Sequence, residues 1–310
     1  MKAFETVNID SLNICVAGLA LRNPTILASG IMGYSISSFQ LVVEAGAGAV
    51  ITKSIGLEAR EGYPNPTIFQ TKSGLINAMG LPNPGITNYA PKISYAKTVL
   101  KVPLIVSIYG FSVKEYVITA KKAAEMGADA IELNVSCPHV KSTGSEIGQN
   151  PDVLAQVVSE VKAAIQKPVI VKLSPNVTDI FTLAKAAVDA GVDALTAINT
   201  VRAMAIDVET AQPVLSNVFG GLSGPAIKPI ALRCVYELHK KLKIPIIGCG
   251  GITDWRDAVE FLLAGASAVQ IGTAIALKNL NVFNEINHGI EAYLNKKRIR
   301  SIDQIVGLSR

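Results

Sequence analysis

Gly127-Ala128-Asp129-Ala130-Ile131-Glu132-Leu133-Asn134-Val135-Ser136-Cys137-Pro138-His139-Val140 runs from an apolar segment into a group of polar side chains. The run 128–133 reads as a buried strand. The chain then breaks at Pro138 into a Gly/Ser/Lys-rich loop, and a helix-like segment starts near Pro151. Asn134, Ser136, Cys137 and His139 therefore sit where a strand ends and its loop begins. In parallel α/β proteins that edge is where chemistry is placed.

The same alternation repeats on both sides of this stretch. Apolar runs at 25–29, 48–52, 103–108, 128–133, 168–172, 194–198, 244–248 and 268–271 read as eight strands. Helix-like segments are predicted at 38–45, 113–126, 151–165, 178–190, 226–242 and 255–264, with a final helical region after the eighth strand. Glycine closes a helix just before a buried strand at Gly46, Gly127, Gly191 and Gly265. Eight strand–helix units predict an α/β fold, a (β/α)8 TIM barrel, as a single domain over 1–310. The competing doubly wound sheet would use fewer strands and a phosphate loop after the first. Residues 6–22 read as an N-terminal β-hairpin turning at Ala17-Gly18. The stretch 55–86, after strand 2, reads as a long, irregular but packed loop with a functional role. Two helix-like segments in 277–310 carry no assigned role.

Composition narrows the function. Apolar residues make up 49% and aromatics only 5%, which implies a large aliphatic core and excludes a disordered or fibrous chain. The net charge of +5 is modest, and its one basic run, 296–300, reads as the solvated end of a helix, so nucleic acid is not an expected partner. Cys15, Cys137, Cys234 and Cys249 form no CxxC pair, so neither zinc nor an iron–sulfur cluster is expected. No signal peptide and no long apolar span appear, which predicts a reduced, cytoplasmic protein without a membrane.

The strand ends carry Ser29-Gly30, Lys53-Ser54, Ser107, Asn134, Lys172, Asn199-Thr200, Gly250-Gly251 and Gly272-Thr273. Lys172 ends a run that should be buried, so it needs an anion or an acceptor. Two glycine-containing ends on the last two strands favour phosphate, since glycine lets backbone N–H groups approach closely. Gly220 to Gly224 could wrap the same ligand or form a lid. Asn77, Asn83, Asn134 and Asn199 offer both donors and acceptors, as a cyclic imide or pyrimidine would require. Asn176 reads only as the start of a helix. Cys15, Cys234 and Cys249 read as small buried hydrophobes, whereas Cys137 in its polar loop is either that or an activated thiol. His139 is its partner or a loop histidine, and His239 and His288 fall in predicted helices.

At Asn134-x-Ser136-Cys137-Pro138, Asn77-Ala78-Met79-Gly80-Leu81, Lys172-Leu173-Ser174-Pro175-Asn176, Ile198-Asn199-Thr200, the run 220–229 and the run 248–252, the chain resembles class 1 dihydroorotate dehydrogenases. The likeness is to the catalytic subunit of the heteromeric type and covers about residues 7–275. It implies a barrel that holds FMN and oxidises dihydroorotate to orotate in pyrimidine biosynthesis. On this resemblance Cys137 is the base that removes the C5 proton, while the C6 hydride goes to flavin N5. Asn77, Asn134 and Asn199 would hold the substrate, with Met79, Gly80, Leu81, His139 and Thr200 completing its pocket. Lys53 would bridge substrate and flavin, and Lys172 would face the flavin N1/O2 edge. Ser29, Gly30, Ser54, Ser107, Asn134 and Ile198 would contact the flavin. Gly224, Gly250, Gly251, Gly272 and Thr273 would hold its phosphate and ribityl chain. An iron–sulfur flavoprotein as electron-transfer subunit and a homodimeric core are implied partners.

Two positions depart from that pattern. Ser107 stands where the family has an asparagine near the flavin, and His139 where it has a substrate-binding asparagine. Cys137-Pro138-His139 and Gly148-Gln149-Asn150-Pro151 are instead similar to the flavin domain of dihydropyrimidine dehydrogenases, so reduction of uracil or thymine is the alternative. A flavin-free phosphate-binding isomerase or aldolase, and a non-catalytic flavin-binding subunit, are the remaining readings.

Overall fold

The eight apolar runs pair in parallel, each with its neighbours in sequence. In a computed structural model, which describes residues 9–136 and 147–309, they form β1 (Thr25–Leu27), β2 (Ala49–Ile51), β3 (Leu104–Ile108), β4 (Ala130–Asn134), β5 (Val169–Leu173), β6 (Ala194–Ala197), β7 (Ile246–Cys249) and β8 (Ala268–Ile271). The sheet closes where Ile271 of β8 pairs with Leu27 of β1. The barrel predicted from the sequence is the one observed. Its strands are covered on both faces, which explains their continuous apolar runs.

Among the described residues, the α-helices are α1 (Ile36–Glu44), α2 (Ile86–Val99), α3 (Val113–Glu125), α4 (Pro151–Ala164), α5 (Ile180–Asp189), α6 (Lys228–Lys241), α7 (Trp255–Ala264), α8 (Ala274–Lys278) and α9 (Val282–Lys297). Side chains start most of the long ones. Ser35, Ser112, Asn150, Asp179 and Asp254 each accept a backbone N–H at the first turn, and Asp254 forms a capping box with Asp257. The four punctuating glycines all adopt positive φ, between 90° and 116°, where a side chain would be strained. The basic run 296–300 lies at the end of α9, as expected of a solvated helix terminus.

The N-terminal hairpin is also present, with Ile14–Val16 against Leu19–Leu21. Ala17 and Gly18 both take positive φ, as a two-residue turn matched to strand twist requires. Cys15 points outward from this hairpin and is exposed, which corrects its reading as a buried hydrophobe; Cys234, inside α6, is buried.

The stretch 55–86 departs from a loop without regular structure. Ala59–Arg60 pairs with Asn83–Pro84, and Ile68–Thr71 forms a hairpin with Gly74–Asn77. Asn83 organises the segment from within. Its Oδ1 accepts from Gly56 and Gly85 N–H, and its Nδ2 donates to Tyr109 Oη at 2.7 Å. The amide predicted for the mouth is thus used to hold the loop together. The hairpin gains further partners from the loop after β6, giving a four-stranded antiparallel sheet ordered Val201–Ala203, Gly220–Ser223, Gly74–Asn77, Ile68–Thr71. This sheet has its own small apolar cluster of Ile76, Ala78 and Leu215.

Asn176 does not start α5, which is capped by Asp179 instead. It ties two loops together, donating to Thr200 O at 3.0 Å and accepting from Arg202 N at 2.8 Å. Among the described residues, no helix is long and apolar enough to cross a membrane.

Two Gly-x-Asp corners share a device. Asp129 accepts from Leu104 N and from Lys97 Nζ, and Asp193 accepts from Val169 N and from Lys162 Nζ, at 2.6–2.7 Å. Each ties the start of one strand to its neighbour and to a helix. Replacing Asp193 by Ala removes a charge-assisted bond to a strand N–H, so urea unfolding is expected to show a loss of about 1–2 kcal/mol.

Candidate active site

Because all eight strands run the same way, their C-terminal ends surround one mouth. A cavity of about 340 Å³ opens there, bounded by the barrel on one side and by the four-stranded sheet on the other. The sheet contributes Ile68, Leu75, Asn77 and Ser223, and the loop beside it contributes Met79 and Leu81.

One end of the cavity is lined with amides. Asn134, the last residue of β4, accepts from Asn199 Nδ2 at 3.2 Å and donates from Nδ2 to Ser54 Oγ at 3.0 Å. Asn199 Nδ2 also donates to Ser136 Oγ at 3.0 Å, and Asn199 Oδ1 accepts from Thr200 N at 2.8 Å. These bonds fix which side of each amide is oxygen. Tyr116 Oη holds the Asn134 carbonyl at 2.8 Å. Asn77 is held more loosely, donating to Gly221 O at 3.3 Å.

The two mouth lysines have different surroundings. Lys53, half-buried after β2, is pulled below its ordinary ionisation by desolvation, with no anion beside it among the described residues to offset the cost. Lys172, buried in β5, donates to Gln270 Oε1 at 2.9 Å. Burial also pulls Lys172 down, but the Cys249 thiol and the Glu132 carboxylate nearby outweigh it, so its net shift is upward. Burial pushes the Cys249 thiol up, and the nearby Lys172 ammonium pulls the other way.

The other end of the cavity is built from Gly224, Gly250, Gly251, Gly272 and Thr273. Thr273 Oγ1 donates to Ser223 Oγ at 2.8 Å, joining the β8 end to the sheet. A Cβ on Gly251 would stand 2.7 Å from the Lys228 backbone N, and its φ is +76°, so packing alone requires glycine there. A Cβ on Gly272 would meet only Ala28 Cβ, at 3.4 Å. The protein leaves room at Gly272 that its own packing does not use.

The family model for dihydroorotate dehydrogenase matches residues 11–294. The chain belongs to the dihydroorotate dehydrogenase family. It is 53% identical to a Thermococcus kodakarensis protein named dihydroorotate dehydrogenase B (NAD(+)), catalytic subunit, over 98% of this chain and 99% of that one. Relatives of the same name from Pyrococcus abyssi (52%, over 96% and 99%) and Methanothermobacter thermautotrophicus (49%, over 96% and 98%) are similar along their whole length. The family makes the chain an oxidoreductase, and these names match the heteromeric type that the sequence motifs resemble.

Seventeen of the residues singled out from the sequence line the one cavity. They are Ser29, Gly30, Lys53 and Ser54 from β1 and β2, Asn77, Met79 and Leu81 from the loop after β2, Asn134 and Lys172, Ile198, Asn199 and Thr200, and the five residues of the glycine-rich end. Two others are absent from its wall. Ser107 is fully buried behind it, 2.9 Å from Ser54 Oγ and 3.3 Å from Ser29 Oγ, and so supports those hydroxyls from the rear. Gly80 packs against the chain at residues 62–63, where a Cβ would stand 2.5 Å from Tyr63 N. Cys137 and His139 lie outside the described residues.

Cys249 and Gln270 line the cavity and were missed. Gln270 carried a readable signal, a lone amide in the buried run Ala268–Ile271, of the kind that drew attention to Lys172. Cys249 looked like one more apolar strand residue until the barrel turned it toward Lys172. The contrast between the two glycines is directly measurable. Gly251→Ala is expected to cost roughly 1–3 kcal/mol in urea unfolding, and Gly272→Ala to stay within about 0.5 kcal/mol of the parent.

Proposed function

We propose that this chain oxidises dihydroorotate to orotate, with FMN as its cofactor, as the catalytic subunit of a heteromeric enzyme. The observation that carries this reading is one cavity that joins three amides and two lysines to a glycine-lined end. The chain's identity of about one half to dihydroorotate dehydrogenase B catalytic subunits supports it.

The residues suit FMN. Gly224, Gly250, Gly251, Gly272 and Thr273 would take the phosphate and ribityl chain on backbone N–H groups, and the spare room at Gly272 supports a ligand there. Ser29, Gly30, Ser54 and Ile198 would line the ring, and Lys172 would stand at its N1/O2 edge. When bound, FMN supplies the acceptor for the hydride that leaves C6 of the substrate.

The chain's own residues do the rest. Asn77, Asn134 and Asn199 match the alternating N–H and C=O groups of the pyrimidine ring, and their bonds to neighbours preset their orientation. Lys53 offers a positive charge to the carboxylate, and Met79, Leu81 and Thr200 close the pocket around it. Cys137 takes the C5 proton as the C6–H bond breaks, and the C5=C6 double bond of orotate forms. It follows directly on Ser136, whose hydroxyl accepts from Asn199. The relatives' names favour dihydroorotate over uracil or thymine, with His139 as the residue that would meet the substrate from the same loop. The words "catalytic subunit" in those names support a second, electron-transferring subunit, which we assign as an iron–sulfur flavoprotein on a homodimeric core. A cytoplasmic location accompanies this reading.

Purified protein given dihydroorotate and an electron acceptor is expected to form orotate, and its absence would end this reading. Cys137→Ser is expected to lower turnover about 10²- to 10⁴-fold while the FMN content stays the same. In Gly272→Ala, fluorescence titration should show weaker FMN binding to a normally folded apoprotein. Orotate is an anion and Lys53 ionises below its ordinary 10.5, so orotate affinity is expected to fall as pH rises through that lowered value. Calorimetric titration across the alkaline range measures this, and Lys53→Met should remove the dependence.

A further inference from the structure

Beneath the cavity floor, four polar side chains from four strands meet in a closed set of bonds. Glu132 of β4 and Thr196 of β6 are fully buried, Gln270 of β8 is 1% exposed and Lys172 of β5 is 5% exposed. Lys172 Nζ donates to Gln270 Oε1 at 2.9 Å. Gln270 Nε2 donates to Glu132 Oε2 at 2.7 Å and to Thr196 Oγ1 at 3.2 Å, and Thr196 Oγ1 donates to Glu132 Oε2 at 3.2 Å.

The direction of this chain is not arbitrary. A lysine ammonium can only donate, so Gln270 must turn its oxygen toward Lys172 and its NH₂ toward Glu132. Glu132 Oε2 is then an acceptor of two bonds. Its other oxygen, Oε1, is buried and has no hydrogen-bond partner among the described residues. A buried acceptor left unpaired is costly, and buried charge is tolerated where an opposite charge compensates it. Lys172 and Glu132 make no direct ion pair, and the Gln270 amide spans the gap between them. Only Lys172 and Gln270 of the four reach the cavity wall; Glu132 and Thr196 lie below it.

We propose that Glu132 is a positioning residue: through the Gln270 amide it holds the Lys172 ammonium at the wall where the flavin ring would sit, and so tunes the potential of that ring. The inference rests on the FMN reading above. A cation at the ring edge makes electron uptake easier, and its influence lasts only while Lys172 keeps its proton. Among the described residues, the ionisable groups around Lys172 are Glu132 from β4, Cys249 from β7 and, elsewhere on the cavity wall, Lys53 after β2. β6 and β8 contribute only the uncharged Thr196 and Gln270. Cys249 and the Glu132 carboxylate both raise Lys172, and Glu132 is tied to it through the Gln270 amide. Without Glu132, Lys172 keeps its Gln270 acceptor but loses that compensating charge, and burial pulls its ionisation down.

The test is the midpoint potential of the FMN-loaded protein as a function of pH, measured by spectroelectrochemistry. The parent is expected to show no Lys172 inflection up to about pH 9, since its ammonium is held. Glu132→Gln is expected to gain an inflection at lower pH than any in the parent, with the potential falling more steeply above it as Lys172 loses its proton. Lys172→Met should sit at a lower potential throughout without that inflection, and adding Glu132→Gln to it should bring none back. Gln270→Met, which keeps both charges and removes only the bridge, is the second variant and should shift the curve in the same direction by less. Curves for Glu132→Gln and Gln270→Met that run parallel to the parent would overturn the proposal while leaving the FMN reading intact. A parent apoprotein that takes up no FMN would overturn both.

Discussion

The seam between β8 and β1, where Val269 pairs with Thr25 and Ile271 with Leu27, closes the sheet on itself, and the site depends on that closure. Once eight parallel strands form a ring, every strand ends at the same rim. Asn134 then lies beside Lys172, Lys172 beside Thr196, and Cys249 beside Gln270. Residues as far apart in the chain as Ser29 and Thr273 come to share one cavity. The period of a strand is two, so a slip of one residue in β5 would turn Lys172 out of the barrel and into its apolar jacket. The tight packing of the core holds that register in place.

The closed ring also encloses a low-dielectric interior, where each charge must be compensated or suppressed. The two lysines at the mouth represent the two outcomes. Lys172 has an acceptor in Gln270 and the Glu132 carboxyl group beyond it. Among the described residues Lys53 has neither, and burial depresses its ionisation. One cation is thus built into the scaffold, while the other gains most when an anion arrives. The amides follow the same logic. Asn134 and Asn199 are oriented by bonds to each other, to Ser54 and to Ser136, so little reorganisation is left for a bound ring to pay for.

Much of the architecture was legible because a doubly covered strand must be apolar along its length, and a lone polar residue at its end then stands out. Lys53, Asn134, Lys172 and Asn199 were found in that way, and the cavity wall contains all four. The punctuating glycines were equally readable, since a left-handed helix end favours glycine. The sheet over the mouth was not. Its strands are three or four residues long, too short for a periodic pattern, and Gly74–Asn77 finds a partner in Gly220–Ser223 far along the chain. Asn83 and Asn176 looked like site amides or caps, and only their actual neighbours reveal them as ties within and between loops.

By itself the sequence determined the barrel, its eight strands and the polar groups at their ends, because burial on both faces and chain reversal constrain residue types locally. Only the tertiary structure decided which of those groups share a wall. It put Ser107 behind Ser54 and turned Gly80 toward the backbone at residue 63. It also brought Cys249 and Gln270 against Lys172, with Glu132 beneath them. The direction of a side chain within a barrel is set by strand register and closure. Both arise from pairing between segments distant in sequence, which no local run of residues records.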